Sequence, residues 1–504
     1  MPFHCFPLLS LLTEKMESLT KLSRPKVSID LVGQGPSPIF TYTTWDRIEG
    51  TVSIEVDHDT QFDDIEIAFE GLCPVLMISH CPSNGGKAHK NCVTGTAKTS
   101  VDRSAVPGTS EAYQTLLKLR HPIDSSEYPS PRVLERGKIY RFPFTFVVPD
   151  RLLPQICQHH KCSSQVEHAH TQLPPSLGDP MVASDGKALL DDLSSERCRI
   201  SYIVRATVRK VSPGNKSPRS LVSVGKKVRI IPAVEEDPPL DIADDDKAYW
   251  DRKVKDVKRG FMRGSLGRIE MVAPQPKPIE LLPRAYEKEE SVPTVVTLQL
   301  RFDPTGNERP PILSKLSSKL RVSTVYSNYP LETIPSGSPM SFSHLGQAMY
   351  LESLPLSARC VESARWAKHT EPSRDSIAST SSIESRASSI HTGKTYYTTS
   401  ILVPITLPKN KAFVPTFHSC IISRFYGLDF DVSYRTSATI NPSISLRLPV
   451  QFTCQRKVDR GVYPPAQEDT KDEFEGFFCP RTIASPRSEF TAHARLPGVT
   501  GGSQ

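Results

Sequence analysis

Residues 157–170 form a short stretch that holds six cysteine and histidine side chains, which are common metal ligands. They are Cys157, His159, His160, Cys162, His168 and His170. Structural zinc takes four nitrogen or sulfur ligands in a tetrahedron, and a C-x4-C pair followed by H-x-H offers that many. Because the spacing matches no standard zinc finger, the sequence favours a loop of solvated histidines. A zinc-stabilised protein-interaction module is the alternative.

Another long irregular stretch, 73–104, also carries cysteine and histidine. The residues are Cys73, His80, Cys81, His89 and Cys92. Loops of this length are usually functional or disordered. If the two stretches meet at one end of the fold, we expect them to share one zinc site. The eleven cysteines have irregular spacings, so the sequence predicts reduced thiols rather than a disulfide framework.

Motifs that carry catalysis are absent from the sequence. It contains no G-x-S-x-G, no G-x-x-x-x-G-K-[ST], no H-E-x-x-H and no G-x-G-x-x-G. The formal net charge of +7 is modest for 504 residues, and no nucleic-acid-binding motif is present. We therefore expect a protein that is not an enzyme, with no catalytic residue, no cofactor and no nucleic-acid partner.

A basic segment, 247–268, carries eight Lys or Arg and two Asp. Its apolar residues Trp250, Val254, Val257 and Phe261 are spaced by 4, 3 and 4, which predicts a short helix. Basic amphipathic helices bind anionic membrane surfaces. The candidate membrane-surface residues are Lys253, Lys255, Lys258 and Arg259. The alternative is a linker helix that packs its apolar stripe against the fold and leaves its charges in water.

A serine-rich segment, 371–394, lacks the aromatic residues that a packed core would need. It cannot bury enough apolar area to offset the entropy cost of ordering, so the sequence predicts a disordered insertion. Arginine precedes two serines at a short distance, which makes Ser376 and Ser388 candidate phosphorylation sites. Phosphorylation would add negative charge that a basic surface can read.

The elements that must position these residues are strands. Apolar and polar residues alternate over 26–32, 50–56, 64–69, 138–149, 201–210, 295–302 and 319–327, and again at 419–434 and 443–452. Strict alternation is typical of half-buried antiparallel strands. Proline contributes 45 of 504 residues, which disfavours a long helical bundle. The sequence predicts an all-β protein with two tandem immunoglobulin-like β-sandwiches, long loops and disordered insertions.

The composition along the chain predicts five segments. An N-terminal extension occupies 1–23, where the apolar opening lacks the basic residues and cleavage site of a signal peptide. The first sandwich spans 24–237, a linker with the basic helix spans 238–290, and the second sandwich spans 291–455. A mostly disordered tail occupies 456–504. We expect a cytoplasmic protein that is recruited to the plasma membrane or to endosomes.

Several segments, in order, resemble the arrestin-like proteins of the fungal α-arrestin group. In the predicted first sandwich they are PKVSIDLVG (25–33), EGTVSIEV (49–56), FPFTFVVPDRLLPQ (142–155), LPPSLGDP (173–180) and VRIIPAVEEDPP (228–239). In the second, VPTFHSCIISRFYGLDFDVSY (414–434) is similar to arrestin carboxy-terminal domains. The resemblance covers most of 24–455 and implies an arrestin fold with amino-terminal-like and carboxy-terminal-like domains.

The resemblance also implies a function. Arrestin-like proteins are adaptors that bind cytosolic regions of membrane transporters or receptors and recruit a HECT-type ubiquitin ligase, which promotes endocytosis. The family's ligase contact is a PPxY motif read by WW domains. Here the four Pro-Pro pairs, at 174, 238, 310 and 464, lack a tyrosine at the fourth position, so direct ligase recruitment is not implied. The alternative within the same fold is a trafficking scaffold of the retromer-subunit type.

Overall fold

The computed structural model describes most of the chain between residues 24 and 455. The described residues are 24–33, 41–78, 99–102, 109–180, 189–211, 218–243, 246–259, 264–281, 294–335, 346–370, 395–436 and 442–455. The predictions for 1–23, for the serine-rich segment with Ser376 and Ser388, and for the tail after 455 lie outside them. In the part that is described, no helix combines the length and the apolar character needed to cross a membrane.

The protein is all-β, and its first half is a sandwich of two sheets. The smaller sheet has the order β1 (Lys26–Leu31), β3 (Arg47–Glu55), β9 (Ile139–Val147). The larger sheet has the order β2 (Thr41–Tyr42), β11 (Arg219–Ile230), β10 (Ser201–Lys210), β5 (Asp64–Ile78), β7 (Thr109–His121), β6 (Thr99–Asp102). All these pairs are antiparallel except β2 with β11. A small ribbon joins β4 (Thr60–Gln61) to β8 (Val133–Leu134).

The alternation predicted from the sequence decides which faces of these strands are buried. Along β9 the aromatic side chains Tyr140, Phe142, Phe144 and Phe146 are buried, and the residues between them are exposed. Phe146 lies 5.9 Å from Phe69 of the opposite sheet, measured between ring centroids. Aromatic pairs at this distance add specific attraction to the area they bury. The two sheets therefore enclose one apolar core.

The second half repeats this arrangement. One sheet has the order β12 (Arg252–Lys258), β13 (Ser265–Val272), β15 (Thr294–Pro304), β19 (Thr395–Ile405), β18 (Ala367–Thr370). The other has the order β17 (Gln347–Cys360), β16 (Ile312–Ser327), β21 (Ile422–Arg435), β20 (Phe417–His418), and β22 (Ser443–Val450) also pairs with β21. Two short strands, β14 (Ile279–Glu280) and β23 (Phe452–Thr453), pair in parallel. A second core lies between the sheets.

The prediction of a helix in the basic segment 247–268 is wrong. Residues 252–258 form the strand β12, which pairs antiparallel with β13. Val257 is 1% exposed whereas Val254 is 39% exposed, because residues three apart on a strand point to opposite faces. The segment predicted to be a linker therefore supplies two strands, β12 and β13, to the second sandwich. Phe261 lies outside the described residues.

Segments from each half enter the core of the other. Leu193, between β9 and β10, belongs to the second core, and its backbone φ is +60°. Conversely, Val414, Phe417 and residues 420–422 belong to the first core. We call this contact region the junction. The α-helix of the described residues, α1 (Ser164–Thr171), lies here beside β20.

Candidate functional site

The helix α1 places two histidines on opposite sides. Ser163 caps its start, accepting a hydrogen bond on its Oγ from the Val166 backbone N–H at 3.3 Å. Val166 and His170, four residues apart, share the buried face, and His170 is 2% exposed. His168 points outward, with Nδ1 3.4 Å from Arg151 Nη1 and Nε2 3.3 Å from Gln172 Nε2. The expectation of a loop of solvated histidines is therefore wrong for His170.

Cys157 and His159 lie just before α1 and face the same interior as His170. The Cys157 side chain is buried, and the backbone carbonyl of Cys157 accepts a hydrogen bond from Lys161 Nζ at 2.8 Å. His159 Nδ1 is 2.7 Å from the His160 carbonyl oxygen. Because a carbonyl oxygen only accepts, Nδ1 carries the proton, and the lone pair of Nε2 faces the sulfur of Cys157.

A residue from the second half completes this group. Cys420 lies in a tight turn between β20 and β21, in which the Ser419 backbone N–H donates to the Ile422 carbonyl at 2.9 Å. The Cys420 carbonyl also accepts from the Leu331 backbone N–H at 2.7 Å. These contacts hold the buried Sγ of Cys420 3.1 Å from Sγ of Cys157.

The four ligand atoms form a compact cluster, with every pair within 4.8 Å. Cys157 Sγ lies 3.0 Å from His159 Nε2 and 3.5 Å from His170 Nδ1. The two histidine nitrogens are 3.3 Å apart. The side chains of Cys157, His170 and Cys420 are buried and that of His159 is half-buried. Two sulfurs and two imidazole nitrogens converge on one point with little access for water.

The close contacts shift the pKa values of the cluster. The Cys420 thiol beside it, together with burial, raises the pKa of Cys157. The same contact lowers the pKa of Cys420 in spite of its burial, so Cys420 is the more acidic thiol of the pair. Burial by itself lowers the pKa of His159. The hydrogen bond to Cys157 and the electrostatic interaction with that thiol outweigh burial, so the pKa of His159 is raised overall.

The remaining predicted ligands lie elsewhere. His160 and Cys162 are exposed and approach Glu332, whose Oε2 is 4.0 Å from His160 Nδ1. Of the six sequence candidates, the structure thus brings three to the buried cluster. Cys73 lies on β5, and 79–98 lie outside the described residues, so a site shared with that loop stays a prediction. No local pattern in the sequence signals Cys420, because its partner Cys157 is 263 positions away.

A groove lies on the outward side of α1, where His168 and Gln172 line it. Its volume is about 420 Å³, and α1, residues 236–242, residues 275–278, β20 and the end of β22 line it. We call residues 236–242 the lip. Two glutamine amides pin the lip: Gln451 binds both backbone groups of Asp237, and Gln275 binds both backbone groups of Leu240.

The groove combines an apolar floor with an acidic rim. Phe425, Tyr426 and Val450 form part of the floor and are buried. The charged residues of the lining are Glu236, Asp237, Asp241, Asp246 and Lys277. Burial raises the pKa of Asp237, and the nearby charge of His168 opposes this effect. The carboxylate of Asp246 already binds the local backbone, because its Oδ1 accepts a hydrogen bond from the Ala248 N–H at 2.6 Å. The rim is acidic overall.

The four basic residues proposed for a membrane surface lie on or next to the edge strand β12. Lys253 and Lys258 are exposed. Lys255 Nζ donates to the Ser443 carbonyl at 2.8 Å, and Arg259 forms an ion pair with Glu308. The structure therefore presents a basic strand edge in place of the predicted amphipathic helix.

No protein-family description matches the chain, and no curated protein matches it. The resemblance to arrestin-like proteins stays a prediction. The segments quoted for it overlap strands of both sandwiches: EGTVSIEV overlaps β3, FPFTFVVP overlaps β9, VRIIP begins at the end of β11, and 414–434 includes β20 and most of β21.

Proposed function

We propose that the protein is a non-enzymatic adaptor of the arrestin-like type that binds cytosolic regions of membrane transporters or receptors. The ordered segments quoted above support this assignment, because they coincide with strands of two tandem sandwiches. Adaptors of this kind act by binding alone. The function must therefore reside in a surface that recognises a partner.

The observation that carries the proposal is the groove, with its acidic rim above an apolar floor. Cytosolic loops of membrane proteins carry an excess of Lys and Arg close to the membrane. A basic segment with one or two large apolar side chains would complement both features. The groove volume of about 420 Å³ falls within the usual range of ligand pockets.

The acidic rim and the apolar lining of the groove contribute differently to binding. Exposed ion pairs at the rim contribute about 0.2–1 kcal/mol each and are screened by salt. Most of the affinity would come from apolar side chains that displace water from the groove lining, which includes the exposed side chain of Leu240, while the rim selects for positive charge. Binding should consequently weaken, without disappearing, as ionic strength rises.

Promotion of ubiquitin-linked endocytosis is the second part of the proposal. Because the chain has no PPxY motif, it does not offer a HECT-type ligase the usual WW-domain contact. The ligase would reach the complex through an additional protein or through another surface of this one.

A peptide-binding experiment tests the groove. The probe is a fluorescent peptide rich in Lys and Arg with Leu and Phe anchors, and a peptide with Glu in place of Lys and Arg serves as the comparison. We expect saturable binding of the basic peptide to the full chain by fluorescence anisotropy. Glu236→Gln with Asp241→Asn should weaken it several-fold at low salt.

The matched control is Asp30→Asn with Glu55→Gln, which removes the same charge from exposed positions on β1 and β3. Equal binding by both double variants, or equal binding of both peptides, would refute the groove as the partner site. Affinity capture from native cells then distinguishes the alternatives. Transporters with a HECT ligase support the adaptor, whereas coat subunits support a scaffold of the retromer-subunit type.

A further inference from the structure

We propose that Cys157, His159, His170 and Cys420 bind one Zn²⁺ ion that ties the two sandwiches together. Three of these ligands lie between β9 and β10 of the first half. The fourth lies in the turn between β20 and β21 of the second half. A metal ion at this position would add coordinate bonds across the junction to the packing, hydrogen bonds and ion pairs that already hold it.

The separations between ligand atoms fit tetrahedral zinc. Zn–S bonds of ~2.3 Å and Zn–N bonds of ~2.0–2.1 Å place the ligands of a tetrahedron about 3.3–3.8 Å apart. The two nitrogens at 3.3 Å and the Cys157–His170 pair at 3.5 Å match the separations of about 3.3 Å for N–N and about 3.5 Å for S–N. The Cys157–His159 pair at 3.0 Å and the two sulfurs at 3.1 Å are shorter than the separations of about 3.5 Å for S–N and about 3.8 Å for S–S. Outward movement of the sulfurs by roughly half an ångström would make room for the ion.

The ligand chemistry selects zinc among the common metals. Two thiolates and two imidazoles form the S₂N₂ set that is typical of structural zinc, whereas Mg²⁺ and Ca²⁺ prefer oxygen. Four protein ligands leave no open position for water or substrate. The site is therefore structural, in agreement with a protein that acts by binding.

The surroundings orient the ligands before the metal arrives. The His160 carbonyl fixes the tautomer of His159 with Nε2 free, as in metal sites where the second ring nitrogen donates to a carbonyl. The capped helix α1 directs His170 into the interior. The Leu331 N–H holds the turn that carries Cys420.

Charge balance also favours the ion. Zn²⁺ with two thiolates and two neutral imidazoles has no net charge, so the complex can be buried without an uncompensated ion. Each thiol loses a proton to the solvent on binding, which makes the zinc affinity dependent on pH. The ion would bind the assembled junction and would thereby stabilise it.

Zinc content of the purified full chain tests the site. After growth with zinc and dialysis against metal-free buffer, elemental analysis should find one zinc per chain. Replacement by Co²⁺ should give the visible absorption of tetrahedral cobalt with a thiolate charge-transfer band. Zinc well below one per chain, or an octahedral cobalt spectrum, would overturn the proposal without any variant.

Substitutions locate the ligands. Cys420→Ser and His170→Asn should each weaken zinc binding by more than about 100-fold. Changing a residue that only hydrogen-bonds to a metal ligand typically costs about 10–100-fold, so a larger loss marks a direct ligand. Cys162→Ser and His168→Asn are matched controls in the same stretch and should keep one zinc. Retention of stoichiometric zinc by both Cys157→Ser and Cys420→Ser would place the metal elsewhere. A metal-free chain whose proteolytic digest contains a peptide pair cross-linked between Cys157 and Cys420 would instead indicate a disulfide and would also contradict the proposal.

Discussion

At the scale of single residues, Glu70 shows how this protein handles a buried charge. It lies on β5 with a side chain that is 11% exposed, and its oxygens contact Arg205 Nε at 2.8 Å and Lys118 Nζ at 3.0 Å. Burial alone raises the pKa of Glu70, but these two partners lower it more, so the net pKa lies below its usual value of 4.5. A carboxylate of this kind stabilises the fold only while it is ionised.

We expect the free energy of unfolding to depend on pH through Glu70. Its pKa is lower in the folded chain than in the unfolded chain, so its contribution is fully present above pH 4.5 and is lost as the pH falls through the folded pKa. Glu70→Gln should lower the free energy of unfolding at pH 7 by about 1–3 kcal/mol and flatten its decline in acid. Urea titrations at a series of pH values measure both effects.

The control for this prediction is Glu135→Gln. Glu135 is a surface residue 3.5 Å from Lys138, and its side chain is 61% exposed. Exposed pairs of this kind contribute little to stability, so the pH profile of this variant should follow that of the parent. If Glu70→Gln and Glu135→Gln have the same profile, the ionised carboxylate of Glu70 does not stabilise the fold.

Single residues also mark how far the candidate site was predictable. The types and spacing of Cys157, His159 and His170 identified them as ligand candidates before any fold was known. Cys420 carried no such signal, because a ligand contributed by a turn 263 positions away is defined only by the packing of β20 against α1. From residue type alone His168 is as good a candidate as His170, and only the helix α1, which points residues two apart to opposite sides, separates them.

At the scale of elements, alternation of apolar and polar residues predicts most strands correctly. The prediction fails where the apolar residues also fit the spacing of a helix. The aromatic residues alternate with exposed ones along β9, and Tyr202, Val204, Ala206 and Val208 occupy alternate positions along β10; both strands form as predicted. In 250–257 the apolar residues fit a helical spacing, yet pairing with β13 makes the segment a strand. The reverse holds for α1, whose only apolar residues, Val166 and Ala169, give too little periodicity to predict a helix.

Close packing between strands leads to a prediction at Gly50, in the central strand of the β1–β3–β9 sheet. A Cβ at Gly50 would lie 2.6 Å from Phe144 Cζ and closer still to the Asp30 carbonyl oxygen. The backbone oxygen cannot move without disturbing the β1–β3 pairing. We therefore expect Gly50→Ala to lower the free energy of unfolding by about 1–3 kcal/mol, measured by urea titration.

Gly427→Ala in β21 is the matched comparison. There the added Cβ would lie 3.3 Å from Tyr249 Cε1 and 3.4 Å from the Leu448 oxygen, which is close to ordinary contact. The entropy lost by the unfolded chain would offset this crowding by about 0.4–1 kcal/mol, so the variant should be nearly neutral. A larger loss at Gly427 than at Gly50 would contradict the packing argument.

At the scale of the whole molecule, the two sandwiches exchange segments, which the order of strands in the sequence did not reveal. Arg424 of β21 is 1% exposed and donates from Nη1 to the Asp192 carbonyl at 2.9 Å and from Nη2 to the Leu193 carbonyl at 3.0 Å. Leu193 itself is 2% exposed and packs in the second core. Nearby, Lys411 Nζ contacts Asp191 at 2.8 Å and lowers the pKa of that carboxyl. The two halves are consequently joined by a buried guanidinium that binds backbone.

We expect Arg424→Met to uncouple the two halves more than it destabilises either core. Methionine fills a similar volume, but it leaves the carbonyls of Asp192 and Leu193 without their donors in a buried position, at a cost of about 1–3 kcal/mol. Because these bonds cross the junction, thermal unfolding by calorimetry should broaden or separate into two transitions. Hydrogen exchange should accelerate around 189–198 and in β21, with much smaller changes in β9.

Arg435→Met tests whether the effect belongs to the junction. Arg435 ends the same strand, pairs with Glu362 and has a side chain that is 57% exposed, so its loss should leave calorimetry and hydrogen exchange almost unchanged. If Arg424→Met instead keeps a single sharp transition with unchanged exchange at 189–198, the buried guanidinium does not couple the sandwiches. The coupling would then have to come from apolar packing of Leu193 and of residues 420–422.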